Sequence, residues 1–128
     1  MKKENIIGVS FFIVVVVVFL LWQLNKEKSD YRNRGQMTTG VVLQVIDDYK
    51  GRPYVHYRFN VDTATFYGED PYPEFRSRIE EQLKNKRFPV IYLKDKPAKN
   101  HILISRAEFK RFSIPFPDSL SWTIKLEF

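Results

Sequence analysis

His56 and His101 are the only histidines in this 128-residue chain, and two adjacent acidic pairs, Asp47-Asp48 and Glu69-Asp70, are the carboxylates placed to assist them. A histidine titrates near neutral pH, so a histidine beside a carboxylate is the minimal general base for a hydrolase or ligand-processing enzyme. The spacing argues against that chemistry. Neither histidine has a second histidine or a carboxylate at helical ligand spacing, and the chain has no cysteine, so a zinc site would need both histidines plus carboxylates. Both acidic pairs fall at strand ends, where Asp and Asn favour turns. None of Ser10, Ser29, Ser77, Ser105, Ser113, Ser119 and Ser121 sits in a nucleophile elbow, and Gly8, Gly35, Gly40, Gly51 and Gly68 form no phosphate-cradling loop. The sequence therefore predicts no enzyme, no catalytic or metal-binding residue and no cofactor.

The polar residues that do share a face are His56, Arg58 and Asn60. They alternate with Val55, Tyr57, Phe59 and Val61, which is the period-two pattern of a half-buried strand. We expect these three to form an interaction face. Aromatic and basic residues interleave here and again in Phe109-Lys110-Arg111-Phe112, a pattern that can serve single-stranded nucleic acid. In the first segment, however, the rings lie on the apolar face. The formal charge of +6 also divides evenly: residues 1–35 carry six Lys and Arg against three acids, and residues 36–128 carry fifteen against twelve. A binder of phosphate backbones concentrates its excess charge in the folded domain, so nucleic acid is not an expected partner.

These residues need a scaffold, and the alternation supplies it. Thr38 to Ile46 reads as a strand and Asp47 to Pro53 as a loop. Tyr54 to Val61 is a second strand, and Asp62-Thr63 is a tight turn into Ala64 to Gly68. The period then changes: Phe75, Ile79 and Leu83 recur every four residues, predicting one amphipathic helix. Phe88 to Leu93 and His101 to Ile104 read as further strands around a turn at residues 94–100, and Ser105 to Phe112 as a short helical turn. The fold class is mainly β (α+β): a small antiparallel barrel of five to six strands with one amphipathic helix, over residues 37–112. Residues 113–128 form a proline-rich, aromatic tail over the barrel. Trp122, Ile124, Leu126 and Phe128 alternate there, as in a last strand or an apolar contact surface.

Ahead of the barrel lies a nineteen-residue stretch, Ile6 to Leu24, without a charged side chain. As a helix it measures about 28 Å, close to the hydrocarbon thickness of a bilayer. Its five consecutive valines favour strands in water, but hydrocarbon forces backbone groups to pair within the segment. The expectation is a single transmembrane helix over residues 6–24, behind a basic tail (1–5) and ahead of a juxtamembrane linker (25–36), with Trp22, Lys26 and Lys28 at the membrane interface. The run is longer than the apolar core of a signal peptide, and residues 25–28 offer no small-residue cleavage site, so it is read as an uncleaved signal anchor. A count of flanking Lys and Arg favours a cytoplasmic domain, whereas the short basic tail favours an extracytoplasmic one, and we lean to the latter. The expected partners are the lipid bilayer and another membrane or envelope protein.

The order Thr39-Gly40-Val41-Val42, Val55-His56-Tyr57-Arg58-Phe59, Tyr67-Gly68, Val90-Ile91-Tyr92-Leu93-Lys94-Asp95-Lys96-Pro97 and Asn100-His101 resembles a bacterial family of membrane-tethered small β-barrel domains catalogued as a domain of unknown function. The resemblance spans residues 37–104. It implies a tethered barrel and no catalytic residue. Members of that family often carry a second transmembrane segment after the barrel, which this sequence does not show.

Overall fold

The computed structural model describes residues 13–22 and 30–128. Residues 13–22 are helical with exposed apolar side chains, a length of about 15 Å. No helix among the described residues is long and apolar enough to cross a membrane. The expected span, residues 6–24, extends at both ends into residues outside the described ones, where Lys26 and Lys28 also lie. Trp22 stacks on Phe19 at 6.2 Å between centroids. Residues 30–34 make one further helical turn that enters the first strand directly, so Gly35 and Gln36 belong to the sheet rather than to a linker. Glycine is required at that junction: a Cβ on residue 35 would stand 2.1 Å from the carbonyl oxygen of Tyr31.

Five strands follow, β1 (Gly35–Asp47), β2 (Pro53–Val61), β3 (Ala64–Pro71), β4 (Arg87–Leu93) and β5 (Lys96–Ile102), in the order β3-β2-β1-β4-β5 with every neighbouring pair antiparallel. The 13-residue β1 is the axis. Its first half, from Gly35 to Val41, pairs with β4 and its second half, from Gly40 to Asp47, pairs with β2. A register shift between Val42 and Gln44 bends it there, as bulges do. The curl brings the edge strands β3 and β5 together and makes a small, nearly closed antiparallel barrel. Two strands out from β1 on either side, β3 and β5 run parallel to each other.

Alternation in the sequence becomes inside and outside. Val55, Tyr57 and Phe59 of β2 are buried with Val42, Phe88, Val90 and Leu93, while Arg58 and Asn60 are exposed. The turn after β2 is tight, with Val61 opposite Ala64 and Asp62 in the left-handed region at φ 55°.

Three elements differ from the sequence reading. Phe75, Ile79 and Leu83 are all buried, yet only Glu80–Leu83 is helical. Phe75 instead bridges to Glu127, and Arg78 adopts φ 60° while its N–H donates to Asp47 Oδ2 at 3.0 Å. The four-residue spacing reported burial, and tertiary partners chose another backbone. Residues 96–100 are strand, not turn. Pro97 is tolerated because β5 is an edge strand, where a missing N–H breaks no ladder. The tail is a 3-10 helix, Asp118–Leu126, whose buried residues are Leu120, Thr123 and Leu126. That three-residue spacing is the period of a 3-10 helix, and it competes with the apparent alternation of Trp122, Ile124, Leu126 and Phe128. Only Glu127 of the expected last strand makes a strand contact, through Phe75.

The short helix Arg106–Arg111 appears where expected. Ser105 caps it, accepting from the Glu108 N–H at 3.2 Å.

Candidate functional site

Two groups of polar residues stand out from the scaffold. The first lies where the barrel closes. Its strands meet there through side chains. Asp70, buried on β3, accepts from the Ile102 N–H at 2.7 Å, from the Tyr57 hydroxyl at 3.2 Å, and contacts His101 Nδ1 at 3.1 Å. Two residues later the buried Tyr72 hydroxyl donates to the Ile102 carbonyl and accepts from the Ile104 N–H at 3.1 Å. Asn100 Oδ1 stands 2.5 Å from the same Tyr57 hydroxyl, whose one proton is shared between it and Asp70, and the Asn100 amide donates to the carbonyls of Pro97 at 3.0 Å and Ala98 at 3.1 Å. Gly68 makes room for this seam: a Cβ there would come within 2.3 Å of both Asn100 Oδ1 and the Tyr57 ring.

His101 is also enclosed by rings. Tyr31 and Phe112 each lie 5.3 Å from it between centroids, and they meet each other at 5.2 Å. Burial disfavours the charged imidazole, but the hydrogen bond to Asp70 and its negative charge more than compensate, so the pKa of His101 rises above its ordinary 6.5. Burial raises the Glu108 carboxyl above its ordinary value, and Arg111, 3.6 Å away, offsets part of the rise. Burial, with Asp70 as the next cause, holds the Tyr57 phenol protonated far above its ordinary range.

The second group lies on the outer face of the sheet. In register, Tyr67 of β3 faces Arg58 of β2, Arg58 faces Val41 of β1, and Val41 faces Arg87 of β4. Residues opposite one another project to the same side, so these four form one row across four strands. One step along, Thr65 donates to Asn60 Oδ1 at 2.9 Å, and Thr39 faces Pro89. The row borders an open concavity of about 360 Å³ lined by Thr38, Thr39, Val41, Arg58, Asn60 and Arg87 among others. A second concavity of about 280 Å³ shares Thr39 and Arg87 and reaches Pro117 and Leu120 of the tail. Arg58 and Arg87 are exposed and have no ion-pair partner among the described residues. Glu69, opposite His56 on β3, lies 3.8 Å from His56 Nε2.

His56, Arg58 and Asn60 thus share the outer face of β2, with Arg58 and Asn60 in the concavity and His56 one row away beside Glu69. The adjacent acids Glu69 and Asp70 separate by strand alternation, one to each histidine, and neither histidine lines either concavity. Among the described residues no group of three or more His, Asp or Glu side chains is placed to hold a metal ion. The sequence reading missed Arg87, Thr39 and the exposed Tyr67 as neighbours of Arg58, because cross-strand register cannot be read from one strand's alternation. A scan against protein-family models matches none, and searches of curated proteins and of solved structures give no match.

Proposed function

We propose that this protein is a single-pass, membrane-anchored interaction module, not an enzyme, whose barrel presents the outer face of β2 to another membrane or envelope component on the extracytoplasmic side. The observation that carries this reading is the row Tyr67, Arg58, Val41, Arg87: an exposed ring and two cations without counter-charges, held by four paired strands. An uncompensated guanidinium on a rigid sheet offers a fixed fork of donors to a partner's carboxylate or phosphate. The apolar run Ile6 to Leu24 and the motif resemblance support the anchoring.

The His101–Asp70 pair is the feature that favours a hydrolase instead. Both Asp70 oxygens are already engaged in closing the barrel, and Tyr31 and Phe112 pack on the imidazole, so we read the pair as structural. A photoreactive residue at Tyr67, activated in intact membranes, is expected to give a discrete adduct that disappears with Arg58→Glu. No adduct above a control carrying residues 1–36 alone would count against the module. A reporter fused after Phe128 that works in only one compartment checks the side of the membrane.

A further inference from the structure

We infer that the concavity between Arg58 and Arg87 is a binding site for a phosphoryl group, taken as a single phosphate or a diphosphate. The inference rests on the contact-face reading above and names what that face recognises. Both arginines stand opposite Val41, one on each neighbouring strand. Strands spaced about 4.8 Å apart set their Cα atoms about 10 Å apart, so two extended side chains can converge on one tetrahedral anion or bracket two. Between them Val41 is short and carries no charge, leaving the floor open.

The other polar groups at the site can serve as donors. Asn60 has its carbonyl oxygen occupied by Thr65, which leaves its amide NH2 free to donate, and Thr39 adds a hydroxyl. No carboxylate lines the concavity, and Glu69 on this face stands beside His56. A donor set without an acceptor charge selects an oxyanion. Two guanidinium forks suit the several oxygens of a phosphoryl group better than a single carboxylate. The site also sits well away from the chain's entry to the sheet: Val41 is six residues beyond Gly35 along β1, roughly 20 Å.

The test uses the purified full-length chain in nanodiscs of neutral phosphatidylcholine, titrated with inorganic pyrophosphate and inorganic phosphate and followed by NMR and calorimetry. Saturable binding is expected, with shifts at Val41 and its neighbours, weakening as salt rises from about 0.05 to about 0.3 M. Arg58→Gln and Arg87→Gln should each weaken it at least tenfold. Arg87→Lys, which keeps the charge and loses the fork, should weaken it about 3- to 10-fold. Lys96→Gln, paired with Leu93 at the far end of β4 from Arg87, should leave it within twofold. A second arm replaces part of the lipid with phosphatidylglycerol: shifts at Arg58 and Arg87 in that arm alone would keep the phosphoryl chemistry and assign its source to headgroups. Binding that survives both glutamine variants, or no pyrophosphate binding up to about 10 mM together with no shifts in the phosphatidylglycerol arm, overturns the inference. If pyrophosphate binds as expected but the Tyr67 adduct is never formed, the partner reading fails and the ligand site stands. The converse result removes the site alone.

Discussion

At Asp70 a single carboxylate takes over what a backbone ladder does elsewhere in the barrel, satisfying the Ile102 N–H and the Tyr57 hydroxyl while facing His101. Asp70→Ala removes the carboxylate that the buried Ile102 N–H donates to, while the Tyr57 hydroxyl keeps Asn100 Oδ1, and is expected to cost roughly 1–3 kcal/mol in chemical denaturation. Gly68→Ala works by crowding instead. Its Cβ collides with Asn100 and the buried Tyr57 ring, so a loss of about 1–3 kcal/mol is expected. His101 makes the seam pH-dependent. Its folded pKa is raised, so its contribution is fully present below 6.5, the unfolded value, and is lost as pH rises through the folded value. Glu108 acts in the same direction in a lower window, starting at its unfolded 4.5, because burial disfavours its charge. Thermal unfolding followed from pH 5 upward should show stability falling as pH passes 6.5, and His101→Phe should flatten that part of the curve.

At the scale of elements, β2, the tight turn after it and β4 were readable because alternation and turn chemistry agree there. Phe75, Ile79 and Leu83 were readable as buried, but their helix was not: the bridge to Glu127 and the left-handed Arg78 are set by residues far away in the chain. The face of β2 was readable for the same reason as its core side, whereas Arg87 joined it only through register on β1. The capped helix depends on Ser105, which also donates to Glu74 at 2.6 Å. Ser105→Ala should therefore cost about 1–2 kcal/mol and raise amide exchange in Arg106–Arg111 first. Leu126→Ala removes a buried side chain of the 3-10 helix and should cost roughly 2–4 kcal/mol, loosening the contact of Phe75 with Glu127 as well.

For the whole molecule, a barrel joined by ladders on four sides and by side chains on the fifth has one weak line. Hydrogen exchange of the full chain should rank β1, β2 and β4 as slowest and the edge strands as fastest. The Ile102 amide is the expected exception, protected at an edge, and Asp70→Ala should abolish its protection. Tyr31 adds one more consequence. It belongs to the helical turn, residues 30–34, that enters β1, yet its ring rests on His101 at the closing line. Displacement of that turn and a change in the pH of the surroundings therefore act on one imidazole, which makes the cylinder's fastening answerable to events outside it.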